Sequence, residues 1–141
     1  MWVPTPSPVE RLEHATVIEA EYRELLASPR QLVVDRYRDG FRAGDHELIL
    51  GCLTGDVTWD IVGHATSTGK AEFEALIDGP TGATLPRLVV ECEVEGDDVI
   101  VVFGAGELEE ADGIRHTFRF ADSFAFRGDL VAGVVSYVVP T

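Results

Sequence analysis

Residues 115–127 read RHTFRFADSFAFR, and their alternation predicts one long β-strand with two unlike faces. Neighbouring side chains point to opposite sides of a strand, so one face is small or polar and carries the arginines. The other face is aromatic apart from one carboxylate, and consists of His116, Phe118, Phe120, Asp122, Phe124 and Phe126. We therefore expect this second face to line a buried interior, with Asp122 inside it.

Asp122 is the residue that points most directly to function. An ionised carboxylate among buried aromatic rings is costly unless it is paired, hydrogen-bonded or neutralised. Asp122 is therefore expected to have a partner or a raised pKa, and such groups cluster at functional sites. Two structural alternatives stay open. A β-bulge would turn the side chain outward, or the carboxylate would simply cap a neighbouring backbone amide.

The residues around this strand predict an antiparallel meander. Short turns rich in glycine and aspartate separate four predicted strands, at residues 85–95, 99–109, 114–126 and 130–139. The first of these strands alternates apolar residues with glutamates. Its apolar face, expected to be buried, comprises Leu88, Val90, Cys92 and Val94.

The chain before residue 85 is mainly helical. Serine, proline and glutamate or glutamine recur in that order at residues 7–10 and 28–31, which is typical of helix starts. Gly44 and Asp45 favour one helix end and the next helix start. We predict helices at residues 9–27, 29–43, 46–53 and 69–76, with one strand at residues 57–61. Helices followed by a sheet predict one domain of the α+β class.

Composition excludes several functions. The net charge of −14 repels nucleic acid and anionic membranes, so neither is an expected partner. The sequence has no signal-like start and no apolar run of the roughly 20 residues that span a membrane. Cys52 and Cys92 lie far apart and are expected to pack as small apolar residues in a cytoplasmic protein. No metal or nucleotide motif is present, so no metal or organic cofactor is expected.

Several short motifs occur in a characteristic order. They are Arg36-Tyr37, Ala43-Gly44-Asp45, Asp56-Val57-Thr58-Trp59, Gly69-Lys70 and FADSFAFRG at residues 120–128. On these motifs, residues 30–139 resemble the SnoaL-like branch of the nuclear transport factor 2-like superfamily, which includes relatives of ketosteroid isomerase and polyketide cyclases. Residues 1–29 would then be an N-terminal extension with an extra helix, and residues 30–141 the SnoaL-like domain.

The resemblance implies a cone-shaped, mostly antiparallel curved sheet wrapped around helices, with a hydrophobic pocket at its open end. It also implies homodimers formed through the outer sheet face. Tyr37 and Asp122 match the two groups that donate hydrogen bonds to a developing oxyanion in ketosteroid isomerase. Ile61 stands where that enzyme has its catalytic base, and Asp60 is one residue away, on the opposite strand face.

Other candidate residues follow from the same geometry. His64, after the predicted strand, His116, at the start of the aromatic face, and Asp60, if a bulge displaces it, are candidate proton carriers. A solvated loop is the more usual position for a histidine like His64, and the rim of the pocket is the alternative for His116. Tyr37 would also suit an ordinary core position. The residues expected to line the pocket are Trp59, Ile61, Phe118, Phe120 and Phe124.

The sequence therefore leads to two functional hypotheses. The first is an acid–base isomerase, cyclase, dehydratase or epoxide hydrolase acting on a small apolar organic molecule. The second is a non-catalytic ligand-binding or dimeric assembly module, in which the aromatic side chains fill the interior.

Overall fold

The computed structural model describes residues 5, 7–10, 23, 25–79 and 82–141. Most of the predicted first helix, at residues 9–27, lies outside the described residues. The other predicted helices are present: α1 covers Pro29–Ala43, α2 covers His46–Leu50 and α3 covers Lys70–Ile77. The predicted α2 was too long at its end, because Leu53 already begins a strand.

The boundaries of α1 follow from its capping residues. The Ser28 side chain accepts a hydrogen bond from the Gln31 amide, and the Gln31 side chain bonds back to Ser28. At the other end Gly44 has φ of 65°, a left-handed conformation that glycine adopts without strain. The helix therefore begins and ends where these residue types predicted.

The strands form one curved, open sheet of six strands in the order β2-β1-β6-β5-β4-β3. The strand ranges are Leu53–Ile61 for β1, Ala65–Thr68 for β2, Arg87–Glu95 for β3, Val99–Glu109 for β4, Arg115–Arg127 for β5 and Leu130–Pro140 for β6. Consecutive strands from β3 to β6 pair antiparallel, as predicted, whereas β1 and β6 pair parallel. The fold is therefore α+β, as expected.

The main core lies between the concave face of the sheet and the helices. Its centre is aromatic: Trp59 stacks on Phe73 with ring centroids 4.6 Å apart, and Tyr37 meets Phe124 edge-on at 5.1 Å. All four rings are buried. The part of the predicted aromatic face that carries Phe120 and Phe124 therefore points inward, with Phe124 against α1, whereas His116 at its start is exposed.

Strand β3 differs from the prediction. Its register against β4 shifts between Val90 and Cys92, because one extra residue is accommodated there as a bulge. The shift reverses the two faces of the strand, so that Cys92 and Val94 are exposed rather than buried. The prediction that these two residues are buried was wrong, and Glu93 takes an inward position instead.

Candidate functional site

Asp122 lies on the concave face, in a row that crosses the sheet. Strand pairing places it directly between Val102 of β4 and Ser136 of β6. The row extends through Glu93 on one side and through Ile61 on the other. Directly opposed residues share a face of the sheet, so these side chains point to the same side. The only register shift between β5 and β6 comes after Ala125, so no bulge turns Asp122 outward.

A hydrogen-bonded chain of three side chains holds Asp122. The indole N–H of Trp59 donates to Ser136 Oγ over 2.9 Å, and the Ser136 hydroxyl bonds to the Asp122 carboxyl. Because Oγ accepts from Trp59, the Ser136 proton is available to the ionised Asp122 carboxylate, which then accepts a hydrogen bond.

Burial raises the pKa of Asp122 from its ordinary value to about 6, although Ser136 and the charge of Arg38 both act to lower it. These opposing effects leave a carboxyl group that ionises close to neutral pH. A base with its pKa near the working pH is well suited to proton transfer.

Tyr37 lies on α1 beside this carboxyl group. Its ring is buried among Phe41, Phe73 and Phe124. Burial, and then the negative charge of Asp122, raise the pKa of Tyr37 well above its ordinary value. The phenol therefore stays protonated at physiological pH and remains a hydrogen-bond donor next to an acceptor.

Charged side chains continue from Asp122 towards β3. Asp35 of α1 accepts hydrogen bonds from Arg23 at 2.9 Å and from Arg38 at 2.9 Å. Arg23 also pairs with Glu93, whose side chain is 8% exposed. Sequence reasoning missed Glu93, since simple alternation put it on the solvent side. The one sign in the sequence that Glu93 lies inside is the run Leu88-Val89-Val90. This run is apolar on both strand faces, which indicates that the simple apolar–polar alternation does not hold along β3.

The structure does not bring the other predicted proton carriers to Asp122. Asp60 is exposed, because its neighbour Trp59 occupies the concave face of β1. His64 is exposed in the turn between β1 and β2. His116 is exposed beside Glu110 and is six residues from Asp122 along β5, roughly 20 Å at 3.3 Å per residue.

The predicted lining residues lie on the concave side. Trp59, Phe120 and Phe124 belong to the buried core, and Ile61 and Phe118 are partly buried against it. Gly106 and Gly104 of β4 stand opposite Phe118 and Phe120. A Cβ atom on Gly104 would lie 2.5 Å from the Phe120 ring, and one on Gly106 would lie 2.4 Å from the Phe118 ring. The two glycines thus let these rings lie flat across β4.

Neither a group of metal ligands nor a membrane-spanning helix is found among the described residues. Among them, no three histidine, cysteine, aspartate or glutamate side chains are grouped so that they would hold a metal ion. Within the same part of the chain, no helix has the length and apolar character needed to cross a membrane.

The chain is similar to a known domain family and to several solved structures. The family model of the SnoaL-like domain matches residues 34–134. The solved structure of TerC co-crystallized with polyporic acid is 26% identical, with a TM-score of 0.72, over 77% of this chain and 90% of that chain. No curated protein sequence matches this chain.

Two more distant structures share the fold. An NTF2-like protein of unknown function from Burkholderia pseudomallei is 23% identical, with a TM-score of 0.73, over 78% of this chain and 90% of that chain. Delta 5-3-ketosteroid isomerase from Mycobacterium sp. is 20% identical, with a TM-score of 0.70, over 82% of this chain and 100% of that chain. The predicted cone-shaped fold is thereby confirmed.

Proposed function

Because the chain belongs to the SnoaL-like domain family, we propose that it binds a small, largely apolar molecule on the concave face and moves a proton with Asp122. The observation that carries this proposal is the chain from Trp59 through Ser136 to Asp122, which presents the carboxylate as an acceptor. Tyr37, a protonated phenol beside it, would donate a hydrogen bond to an oxygen of the substrate.

In this proposal Asp122 takes a proton from a carbon next to a carbonyl group, and the bonding electrons of that C–H bond move into an enolate. Tyr37 stabilises the oxyanion. Return of the proton from Asp122 to another carbon completes an isomerisation without an oxidant or reductant. The same base would serve cyclisation, dehydration or epoxide opening. The resemblance to ketosteroid isomerase implied Asp122 as a neutral donor, whereas Ser136 favours an ionised acceptor.

Proton exchange tests the proposal without knowledge of the natural substrate. We expect the protein to accelerate exchange of deuterium from D₂O into the carbon next to the carbonyl of 2-tetralone, followed by ¹H NMR. Asp122→Asn should slow this exchange about 100-fold or more, and Tyr37→Phe should have a smaller effect. Exchange no faster than in buffer would contradict proton transfer.

The alternative is a binding or assembly module. Its supporting observation is the burial of Phe120 and Phe124, which occupy much of the interior. In that case 2-tetralone would bind with no acceleration of exchange, or would not bind at all. Binding by NMR line broadening, measured on the same samples, separates these two outcomes from catalysis.

We also propose a homodimer through the convex face. Phe103, Tyr137, Val94 and Val139 there are 45–60% exposed. Five charged residues on that face form ion pairs with each other, Arg119 with Glu91, and Arg87 and Arg115 with Glu107. On a chain of net charge −14, this face therefore offers apolar side chains flanked by paired charges, to which an equally acidic second copy would dock.

A further inference from the structure

Arg23 connects α1 to the edge strand β3. Its Nε donates to Asp35 Oδ2 over 2.9 Å and its Nη2 donates to Asp35 Oδ1 over 3.1 Å, which makes a two-point contact with the helix. The same Nη2 pairs with Glu93 of β3, whose side chain is 8% exposed. Among the described residues, the other oxygen of this carboxylate, Oε1, has no hydrogen-bond partner. Arg23 therefore supplies the positive charge that the buried Glu93 needs.

Arg38 shares Asp35 with Arg23. Its Nη2 donates to Asp35 Oδ1 over 2.9 Å. Two arginines thus balance two carboxylates in this cluster. Burial raises the pKa of Asp122, and the charge of Arg38 acts to lower it. Because Arg23 neutralises Glu93, the charge of Arg38 remains available to the site.

Charge reaches Asp122 from the side of α1 and from the side of β3. The groups that face Asp122 are Tyr37 and Arg38 of α1, Val102 of β4, Ser136 of β6, then Ile61 of β1 beyond Ser136, and Glu93 of β3 beyond Val102. Arg38 and Glu93 are the charged members of this set. Two strand spacings, or about 10 Å, separate the backbones of Glu93 and Asp122. At that distance a unit charge still acts on a buried carboxyl group, since the interior screens it less than water does.

Arg23 lies outside residues 34–134, which the family model matches. The Ala27 amide donates to the Arg23 carbonyl over 2.9 Å. This bond between residues four apart places Arg23 one helical turn before Ser28, the cap of α1. The start of α1 therefore determines where Arg23 stands relative to Asp35.

A second contact attaches the N-terminal extension to the other face of β3. Val9 is buried against Val89 of β3 and Ala105 of β4. Ala105 pairs with Arg119, which lies on the convex face of the sheet. Val9 and Arg23 therefore contact the edge strand from opposite sides, and the attachment of the extension does not depend on the ion pairs of Arg23 alone.

We propose that Arg23, a residue of the N-terminal extension, positions the charges around Asp122. It neutralises Glu93 and shares Asp35, so that the charge of Arg38 also reaches the base. This inference rests on the proposed function of Asp122 and adds to it a positioning residue from outside the matched domain. Without Arg23, two carboxylates face one arginine, and the surplus negative charge favours the neutral form of Asp122. The base would then form only at higher pH.

Charge substitutions in the full-length protein test this role through the ¹³C chemical shift of the Asp122 carboxyl carbon, followed with pH. Arg23→Met should raise the titration midpoint by about half a pH unit or more, because it removes a positive charge about 10 Å away. Glu93→Gln removes a negative charge and should lower the midpoint. Arg23→Met together with Glu93→Gln restores the charge balance and should return the midpoint to the wild-type value. The pH of half-maximal 2-tetralone exchange should move in the same directions.

Arg127→Met is the matched control. It breaks an ion pair between exposed side chains, with Asp56, and lies five residues from Asp122 along β5, so the midpoint should stay at the wild-type value. A midpoint that does not rise in Arg23→Met, or that rises equally in the control, would overturn the role of Arg23. A full rise in the double variant would overturn it as well, since lost packing rather than charge would then be the cause. Should Arg23→Met not fold, Glu93→Gln decides, and an unmoved or raised midpoint there would overturn the role.

The role of Arg23 and the proposed function fail in different ways. Midpoints that move as expected, in a protein that does not accelerate 2-tetralone exchange, would overturn the proton transfer and leave Arg23 as the residue that sets the ionisation of Asp122. Asp122-dependent exchange with the same pH profile in wild type and Arg23→Met would overturn only the role of Arg23.

Discussion

Ser136 links Trp59 to Asp122: its oxygen accepts from the Trp59 indole over 2.9 Å, and its hydroxyl is the hydrogen-bond partner that acts to lower the pKa of the Asp122 carboxyl. This relationship determines what Asp122 can do. A carboxyl group that accepts a hydrogen bond is favoured in its ionised form, whereas burial favours its neutral form. The balance leaves the pKa of Asp122 at about 6. At pH 7 roughly nine in ten molecules therefore carry a base at this position.

Removal of the Ser136 hydroxyl should affect both stability and proton transfer. Ser136→Ala leaves the buried Trp59 N–H unpaired, so we expect a loss of about 1–3 kcal/mol in the free energy of unfolding. It also removes a donor that lowers the pKa of Asp122. The pH at which 2-tetralone exchange reaches half its maximum should therefore rise above the wild-type value.

The matched control is Ser123→Ala, a serine of β5 beside Asp122 whose side chain points to the other face. Urea unfolding and the pH profile of exchange are measured on both variants. An identical loss in the control, or an unmoved profile in Ser136→Ala, would show that Ser136 does not act on Asp122.

Asp122 should also make stability depend on pH. Its pKa is raised from 3.8 to about 6 in the folded state, so the native protein binds more protons than the unfolded chain between these values. Stability from this group is therefore lost as the pH rises through that window. At about 1.4 kcal/mol for each pKa unit, the full penalty is about 3 kcal/mol.

Asp122→Asn should abolish that contribution. We expect the free energy of unfolding of the variant minus that of wild type to be about 2 kcal/mol larger at pH 8 than at pH 4. Urea unfolding at the two pH values measures this difference. A wild-type-to-variant difference that is the same at both pH values would mean that the carboxyl is not desolvated.

Gly104 should resist substitution. A Cβ atom there would lie 2.2 Å from the Val89 carbonyl oxygen and 2.5 Å from the Phe120 ring, so Gly104→Ala forces both to move. Such overpacking costs about 1–3 kcal/mol. Gly55→Ala is the control, since a Cβ atom at Gly55 meets nothing within 4 Å. Similar thermal unfolding midpoints for the two variants would contradict the packing of Phe120 against β4.

The convex face should control the oligomeric state. We expect wild-type protein to elute as a dimer in size-exclusion chromatography with light scattering, and Phe103→Glu with Tyr137→Glu to convert it to monomer. Val62→Glu, at a residue 42% exposed in the turn after β1, should remain a dimer. A monomeric wild-type protein, or a dimer unaffected by the double substitution, would rule out this interface.

Local signals in the sequence predicted much of the fold. Ser28, Gln31 and Gly44 bounded α1 because capping depends on a few neighbouring residues. The turns between β3 and β6 predicted the meander for the same reason. Alternation also placed Asp122 on the aromatic face, where the structure has it. All these features depend on short-range geometry.

Features that depend on distant strands were not predictable in this way. The bulge of β3 depends on its pairing with β4. Almost nothing in the sequence therefore indicates that Cys92, Glu93 and Val94 lie on the opposite strand faces from those that simple alternation predicts. The parallel pairing of β1 with β6 joins residues far apart in the chain. Ser136 likewise reads as one polar residue in an apolar strand. Its importance comes from Trp59, 77 positions earlier.

Titration of the Asp122 carboxyl group is the most direct test of its role as the base. The ¹³C chemical shift of its carboxyl carbon, assigned by its disappearance in Asp122→Asn, is followed from pH 3 to pH 9. We expect a midpoint at about 6, with a lower proton-exchange rate for 2-tetralone below that pH. A midpoint near 3.8, the ordinary value for aspartate, or a group still protonated at pH 9 would contradict the assignment of Asp122 as the base.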